Sequence, residues 1–315
     1  MLDRQEKERQ LTMPYEEKIQ RSKELILEWY LQYKGNVYVS FSGGKDSTVL
    51  LHLARSIKGC EDIKGCFIDT GLEYPEIRNF VKTIPNVDWV KPKLTFKQVI
   101  DKYGWPIISK EQSKYIFDIR HGTEHTKELR IKGYPDRDGG GRFKIANKWK
   151  PLLNADFEIS NRCCYVMKKS TASRYETKTG RKPIIGMMAA ESNLRMTTYM
   201  GSNCNAFKDK HPKSHPIMFW NEQDILRYIV ENGLEIASIY GEIEQTPDGR
   251  YYTTGVHRTG CMFCMYGVHM EGTPNRFDKM KLTHPIQYEY IMNKLNGKHV
   301  LNEYLKCAKI QPTLF

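Results

Sequence analysis

The sequence predicts an α/β protein with a doubly wound, mostly parallel sheet and a helical C-terminal region. Three observations carry this prediction: short runs rich in β-branched and aromatic residues, helix-compatible segments between those runs, and a glycine pair where the first run passes into a helix. Strands that alternate with helices favour a parallel sheet, because each helical crossover returns the chain to the same end of the sheet. Such sheets bind their ligands beyond the carboxyl ends of the strands.

The predicted elements follow one another along the chain. An amphipathic helix over residues 14–33 comes first, and its buried stripe consists of Ile19, Leu25, Ile26 and Trp29. Strands are predicted at residues 36–41, 63–69, 87–90 and 182–186, and further helices at residues 48–54, 224–231, 285–294 and 298–307. A long excursion with a glycine cluster at residues 133–141 separates the third and fourth strands, and we expect it to be a substrate-facing lid or a helical insertion.

Composition narrows the class of protein. The 315 residues are 40% apolar, which is ordinary for a folded domain and argues against disorder. No apolar run is long enough to cross a bilayer, and the charged first residues lack the apolar region of a signal peptide, so we expect a cytoplasmic protein without a membrane partner. In that compartment the eight cysteines are expected to be thiols or metal ligands rather than disulfides.

The formal net charge of +12 favours anionic partners, and it does not choose between nucleotides and nucleic acids. Basic residues are concentrated with aromatic ones at residues 109–150 and 162–182. This combination suits binding of DNA or RNA, and a solvated lid explains it equally well. A homo-oligomer is compatible with the sequence.

The most informative segment is residues 42–47, Ser-Gly-Gly-Lys-Asp-Ser, between the first predicted strand and the following helix. Two adjacent glycines allow positive φ and close approach of a ligand, and unpaired amides at a helix start attract anions. Lys45 adds a point charge for a phosphate oxygen. Ser42, Asp46 and Ser47 either cap the helix or bind the ligand. The spacing does not fit the Walker loop, so a phosphate loop of another class is predicted.

The segment resembles the signature of the PP-loop ATP pyrophosphatases, which cleave ATP between its α and β phosphates. Residues 69–76 resemble the Asp-Thr-Gly-x-x-x-Pro-Glu stretch that lines the nucleotide site of sulfonucleotide reductases and of the small subunit of ATP sulfurylase. Residues 186–195 resemble the family stretch Gly-x-Arg-x-x-x-Ser-x-x-Arg, with Arg195 in place and Met188 where an arginine is usual. That departure argues against a phosphosulfate substrate, because one cationic contact is missing.

The resemblance implies an adenine nucleotide alpha-hydrolase-like core and a set of site residues. The implied ATP-binding residues are Ser42, Gly43, Gly44, Lys45, Asp46, Ser47, Asp69, Thr70, Gly186 and Arg195. Lys45, Asp46 and Asp69 are implied to be catalytic, with Mg²⁺ entering together with ATP and Asp69 orienting either the metal or the ribose. Asp69 as a mere helix cap is the alternative. The expected domains are an N-terminal helix at 1–34, the nucleotide-binding core at 35–220 with an insertion around 109–155, and a helical region at 221–315.

Four cysteines form the second constellation. Cys163 and Cys164 are adjacent, and Cys261 and Cys264 form a Cys-x-x-Cys turn in the C-terminal region. Four-cysteine zinc sites usually pair two Cys-x-x-Cys turns, whereas the side chains of adjacent cysteines diverge. A [4Fe-4S] cluster has separate iron corners, so neighbouring cysteines can each take one. Two alternatives remain: a zinc site, or two cysteines in the core and two unrelated ones elsewhere. Cys204 in a polar loop is a candidate reactive thiol.

The cysteine pattern resembles that of the plant and bacterial sulfonucleotide reductases that carry a [4Fe-4S] cluster, and it implies that Cys163, Cys164, Cys261 and Cys264 are the metal ligands. Two departures separate the chain from those reductases. Their Glu-Cys-Gly-Leu-His tail, whose cysteine attacks the substrate sulfur, is not matched around Cys307. They also replace the loop lysine, whereas Lys45 is present here. Both departures favour ATP over a sulfonucleotide.

Three functions follow as hypotheses. The first is a PP-loop enzyme that cleaves ATP to AMP and pyrophosphate, adenylates an acceptor for sulfur transfer or nucleic-acid modification, and carries a [4Fe-4S] cluster. The DNA phosphorothioation ATPase is its nearest functional analogue, and a sulfur-donor protein is an expected partner. The second is a sulfonucleotide reductase that releases sulfite, with Cys204 or Cys307 as nucleophile. The third is a non-catalytic, nucleotide-gated module that binds nucleic acid.

Overall fold

The computed structural model describes residues 4–134 and 142–308, so most of the predicted glycine-cluster lid lies outside the described residues. The chain divides into two units. The first comprises Met1–Asp69, Glu73–Lys91 and Thr171–Gly260, and the second comprises Thr70–Leu72, Pro92–Ser170 and Cys261–Phe315. Both cysteine pairs belong to the second unit. The functional domain limits expected at residues 34 and 220 remain predictions.

The strands and helices are mostly short. The strands are β1 (Val37–Ser40), β2 (Lys64–Ile68), β3 (Val87–Val90), β4 (Ile107–Ile108), β5 (Lys182–Ile184), β6 (Asn205–Ala206), β7 (Lys213–Ser214), β8 (Ile243–Gln245), β9 (Tyr251–Thr253) and β10 (Met265–Tyr266). The α-helices are α1 (Arg4–Leu11), α2 (Tyr15–Gln32), α3 (Lys45–Arg55), α4 (Pro75–Thr83), α5 (Phe96–Tyr103), α6 (Lys110–His121), α7 (Glu124–Lys132), α8 (Arg162–Cys164), α9 (Ser170–Thr179), α10 (Asn193–Gly201), α11 (Glu222–Glu231), α12 (Arg276–Thr283), α13 (Pro285–Glu289) and α14 (Gly297–Cys307).

The first unit contains a six-stranded sheet in the order β3-β2-β1-β5-β7-β6, which confirms the predicted mostly parallel α/β fold. The named pairs are parallel except β6 with β7. The chain builds β2 and β3 on one side of β1 and then places β5 on its other side, so the strand order reverses between β1 and β5. Open α/β sheets bind ligands at such a switch point, at the carboxyl ends of the strands.

The predicted elements agree with the observed ones to within a few residues, and β3 has the predicted bounds. Helix α3 begins at Lys45, three residues before its predicted start, since the Thr48 amide already donates to the Gly44 carbonyl. Helix α1 and the two-residue strands β6 and β7 were not predicted, because so short a segment carries no resolvable hydrophobic period.

A buried apolar core supports the sheet, and α2 is tied to the segment before α11 by polar contacts. Leu25, Ile26 and Trp29 are buried as predicted, whereas Ile19 is half-buried. The Trp220 indole donates to the Ser22 hydroxyl at 2.9 Å.

Asp224 belongs to the same structural tie. Its carboxylate pairs with Lys18 at 2.8 Å, and both side chains are almost fully buried. The same oxygen accepts from the Asn221 amide at the start of α11. These contacts give Asp224 a structural role in joining α2 to α11.

His215 follows β7 and lies in the interior of the first unit, with 5% of its surface exposed. Burial lowers the pKa of its imidazole to about 4, and the positive charges of Lys213 and Arg195 act in the same direction, opposed by Asp209. In the unfolded chain the imidazole titrates near its ordinary pKa of about 6.5. The unfolded state therefore takes up the proton first as the pH falls.

Acid is consequently expected to destabilise the first unit through His215. Stability conferred by the neutral imidazole is complete above about pH 6.5 and is lost as the pH falls towards 4, with about 2 kcal/mol lost at pH 5. Urea unfolding at pH 7 and pH 5 measures this loss, and His215→Gln should diminish it. His211→Gln, at an exposed position, is the matched control. An unchanged pH dependence in H215Q would contradict the assignment.

The second unit is mainly helical, with one parallel pair of two-residue strands, β4 and β10. Aromatic contacts organise its interior: the Phe96 ring lies 6.0 Å from Trp105 and 5.8 Å from Phe263, centroid to centroid. Across the described residues, no helix combines the length and the apolar character that spanning a bilayer would require.

Candidate nucleotide site and cysteine group

The phosphate-loop candidate, residues 42–47, joins β1 to α3 at the switch point of the sheet. Its two serines hold each other, because the hydroxyls of Ser42 and Ser47 lie 3.0 Å apart. The Ser42 hydroxyl also accepts from the Gly44 amide at 3.3 Å, and the Ser47 hydroxyl donates to the Gly44 carbonyl at 2.9 Å. The serines therefore fix the turn before the helix.

Gly43 is required by the backbone and by its neighbours. Its φ of 73° lies in the left-handed region, and a Cβ added there would lie 2.6 Å from Val81 Cγ2 and 2.9 Å from Ile77 Cγ2. Both neighbours are on α4, which packs against the loop. A side chain at position 43 would thus be strained and would also push the loop away from α4.

Gly43→Ala is expected to lower the free energy of unfolding by about 3 kcal/mol, from about 1–2 kcal/mol of backbone strain and a similar steric penalty. Gly59→Ala is the matched control, since Gly59 has a φ of 85° and open space around its Cβ position. It should lose the backbone part alone. Urea titration of both variants measures the difference, and equal losses would show that α4 does not restrain the loop.

Lys45 is the first residue of α3, and its side chain is 5% exposed. The ammonium donates to the His257 carbonyl at 2.8 Å and pairs with the Glu222 carboxylate at 3.0 Å. Tyr240 accepts from the Lys45 amide at 3.4 Å and has its ring 5.6 Å from the ammonium. A buried cation thus lies beside helix-start amides, a combination that suits an anionic group.

Asp46 follows in the first turn of α3. Its Oδ1 atom is buried and has no hydrogen-bond partner among the described residues. Burial raises the pKa of the carboxyl, and the charges of Lys45 and Arg258 oppose that rise. A buried carboxylate oxygen without a donor is suited to Mg²⁺, which prefers oxygen ligands. The donor set present here therefore fits a magnesium-nucleotide ligand.

The strands next to β1 bring two further predicted residues to the same edge of the sheet. Asp69 follows β2, is buried, and accepts from the Arg78 guanidinium at 3.0 Å. Gly186 follows β5, and a Cβ there would lie 3.5 Å from the Asp46 carbonyl oxygen. Thr70, in contrast, belongs to the second unit.

Arg195 lies near the start of α10 and forms an ion pair with Glu191. Burial lowers the pKa of its guanidinium, with further effects from Arg258 and Asp46, so these charges lie near one another. Met188, at the position where an arginine is usual, is buried in the apolar core.

Several residues around the loop carry no sequence motif and were not predicted. Glu222 starts α11, Tyr240 precedes β8, and residues 257–259 follow β9. They reach Lys45 only through the tertiary fold of the first unit. The one sequence signal that could have drawn attention to them is the polar run His-Arg-Thr just before Cys261.

The cysteine group, defined as Cys163, Cys164, Cys261 and Cys264, lies within the second unit. None of the eight cysteines, all of which lie within the described residues, forms a disulfide. Burial raises the pKa of the Cys163 thiol, and the other three members of the group raise it further, so their sulfurs lie close enough to interact. Burial likewise raises the pKa of Cys264, with a contribution from Cys164.

The local backbone presents the two pairs differently. Cys163 and Cys164 end the short helix α8, which widens into a π-helical turn at Tyr165–Lys169. Such turns are frequent at functional sites. Cys261 and Cys264 form a tight turn in which the Cys264 amide donates to the Cys261 carbonyl at 3.1 Å. Over residues 4–134 and 142–308, no three or more His, Cys, Asp or Glu side chains are placed to hold one metal ion.

The buried hydroxyl of Tyr266 bears on whether the cysteine group fits an iron-sulfur cluster. Tyr266 lies two residues after Cys264, and its Oη is buried without a hydrogen-bond partner among the described residues. Burial and the charges of three of the cysteines raise the pKa of Tyr266, which places the hydroxyl beside the group. The adjacent Ser113 hydroxyl donates its own proton to the Ile107 carbonyl. A hydroxyl donor near three of the four thiols suits a sulfur-rich cofactor, so these residues fit such a cluster.

Cys204 and Cys307 do not have the environment of a nucleophile. Cys204 is buried, and that burial raises the pKa of its thiol to about 11. Burial also raises the pKa of Cys307. Because the thiolate is the nucleophile, neither residue is activated at neutral pH. The expectation of a reactive thiol at Cys204 is not supported by its surroundings.

Comparison with known proteins assigns the chain to a family. The sequence profile of the family described as Phosphoadenosine phosphosulfate reductase domain matches residues 36–131 and 107–266. Two relatives from Methanocaldococcus jannaschii, Uncharacterized protein MJ0066 and Uncharacterized protein MJ0973, are 27% identical over 280 residues and 26% identical over 257 residues. These matches cover 88% and 80% of this chain but 46% and 47% of the relatives. The chain thus spans about half the length of these curated relatives.

Two solved structures are also similar. The phosphoadenylyl-sulfate (PAPS) reductase of Candida auris, a phosphate complex, is 16% identical with a TM-score of 0.40, covering 76% of this chain and 91% of that chain. The FMN adenylyltransferase of Candida glabrata is 13% identical with a TM-score of 0.41, covering 74% and 64%.

Proposed function

Because the chain belongs to the phosphoadenosine phosphosulfate reductase domain family, we propose that it is an enzyme that binds ATP with Mg²⁺ and cleaves it at the α-phosphate to AMP and pyrophosphate. The observation that carries the proposal is the buried Lys45 ammonium at the start of α3, beside the buried and unpartnered oxygen of Asp46. A lysine at this position suits ATP as the substrate, because its charge neutralises the β and γ phosphates.

The residues of the first unit divide the work. Lys45 binds the β and γ phosphates, Asp46 would hold the Mg²⁺ that enters with the nucleotide, and Arg195 neutralises the α-phosphate. Asp69, at the same edge, orients the metal or the ribose. An acceptor oxygen attacks the α-phosphorus, the bond from that phosphorus to the bridging oxygen breaks, and pyrophosphate leaves with the electron pair. The acceptor retains AMP and loses its proton to solvent; when the acceptor is water, the product is free AMP.

Adenylation would make the acceptor oxygen a good leaving group, and we propose that this activation serves sulfur transfer or nucleic-acid modification in a cytoplasmic setting. The cysteine group would hold a [4Fe-4S] cluster, which transfers single electrons when bound. Burial raises the pKa of the Cys204 and Cys307 thiols, so neither is present mainly as the nucleophilic thiolate at neutral pH. These environments disfavour the sulfonucleotide reductase alternative.

A surface of the second unit supports nucleic acid as the partner. The Arg162 guanidinium lies over the rings of Tyr103 and Tyr165, at 5.7 Å and 5.3 Å from their centroids. Tyr165 is 52% exposed, and an exposed aromatic ring is a surface on which a nucleotide base can stack. We propose that residues 162–170, the part of the basic segment 162–182 that belongs to this unit, bind DNA or RNA there, with residues 109–150 as the further candidate.

Product analysis tests the proposed function. Protein purified without oxygen is incubated with Mg²⁺ and α-labelled ATP, with and without DNA, RNA or a thiol donor as acceptor. The expected products are pyrophosphate and either labelled AMP or a labelled acceptor. Formation of ADP alone, or no cleavage under any of these conditions, would refute the proposal. Release of sulfite from a sulfonucleotide would establish the reductase alternative instead.

A further inference from the structure

The segment His257–Arg258–Thr259 lies against the phosphate-loop candidate, within the first unit. The His257 carbonyl accepts from the Lys45 ammonium at 2.8 Å. A Cβ on Gly44 would lie 3.6 Å from the Thr259 hydroxyl, and that hydroxyl is 2.7 Å from Tyr240 Oη. His257 therefore contacts the loop directly, and Thr259 lies beside it.

The Arg258 side chain shares a carboxylate with the predicted phosphate ligand Arg195. Arg258 lies 3.1 Å from one oxygen of Glu191, and Arg195 pairs with the other oxygen. Glu191 itself is held by the Met188 amide, which donates to it at 3.2 Å. A single carboxylate between two guanidinium groups occupies the position that a phosphate would take in such a pair.

The charges near the loop agree with this geometry. Arg258 is 53% exposed at its side chain, so it can turn towards a ligand, whereas Glu191 is 12% exposed and retains the hydrogen bond from the Met188 amide. The resemblance to other family members leaves one cation missing at Met188, whose side chain is buried in the apolar core. Arg258 can supply that cation from a different part of the chain.

We propose that Arg258 is a phosphate-binding residue of the nucleotide site, in place of the arginine that Met188 replaces, and that Glu191 holds Arg195 and Arg258 until the triphosphate binds. This inference rests on the proposed function, because it assigns a further ligand to the same anion. The inference predicts a preference for ligands with several phosphates, because Arg258 adds a third cation to those of Lys45 and Arg195.

Binding measurements test the inference without turnover. Calorimetric titration with Mg²⁺ and α,β-methylene-ATP, and in parallel with AMP, is carried out on the unmodified protein and on Arg258→Ala and Arg258→Lys. Arg258→Ala is expected to weaken binding of the triphosphate analogue about 10- to 100-fold and binding of AMP much less. Arg258→Lys should retain part of the affinity, because lysine keeps the positive charge but cannot donate two parallel hydrogen bonds as a guanidinium does.

Arg250→Ala is the matched control, since Arg250 is an exposed arginine of the same unit and pairs with Asp248. It removes the same charge away from the loop and should leave both affinities within about twofold. If the unmodified protein binds the analogue and R258A binds it equally well, the inference is overturned and the proposed function is not. An equal loss for the analogue and for AMP also overturns it, because that pattern indicates a structural role. Failure of the unmodified protein to bind the analogue overturns the proposed function and this inference with it.

Discussion

Replacing Lys45 with alanine is expected to lower the rate of ATP cleavage at least about 100-fold, the scale of losing one buried, charge-stabilising group in an active site. In the proposed reaction the Lys45 ammonium neutralises the departing pyrophosphate. Its removal also leaves the half-buried Glu222 carboxylate without its lysine partner and with the His257 imidazole at 3.3 Å as a neighbour. Rates of pyrophosphate release under saturating Mg²⁺-ATP measure the effect, with thermal unfolding showing that the variant is folded.

Two further variants separate the causes of that loss. Lys45→Ala combined with Glu222→Gln removes the unpaired negative charge, so any activity it regains measures repulsion by Glu222. Lys58→Ala removes an exposed lysine just after α3 and should leave the rate unchanged. Cleavage by K45A at the unmodified rate would show that the loop does not bind the leaving group.

The fold and the phosphate loop could be predicted from the sequence, because each is determined by residues that are neighbours along the chain. The first three strands are marked by β-branched and aromatic residues, and Gly43 by the positive φ that its turn requires. Arg195 was found through the resemblance to a family stretch, and the structure places it near Asp46 and Arg258.

The remaining parts of the site have no local cause. Glu222 and Arg258 reach the loop from segments far along the chain, and neither has a residue spacing that marks it. Sequence reasoning identifies residues that a motif or a backbone constraint demands, whereas partners brought together by packing appear only in the folded chain.

Replacing Cys163 or Cys261 with serine is expected to abolish the visible charge-transfer absorbance of protein prepared without oxygen, together with its complement of about four iron atoms per chain. Both pairs of the cysteine group must contribute, because a [4Fe-4S] cluster binds one thiolate at each iron corner. Cys163 is only 7% exposed, so its replacement must be similar in size. Serine meets this condition and removes the sulfur ligand. Absorbance spectra and iron analysis of each variant measure the loss.

Cys307→Ser is the matched control, because Cys307 lies in the same unit and outside the cysteine group. It should keep the absorbance and the iron. Colourless unmodified protein with about one zinc ion per chain would instead support the zinc alternative, in which four sulfurs approach one ion at about 2.3 Å. Iron retained at full occupancy in both C163S and C261S would show that the group does not bind the cluster. Because Lys45 belongs to the other unit, K45A should keep the iron, so loss of ATP cleavage and loss of the cofactor are separable by variant.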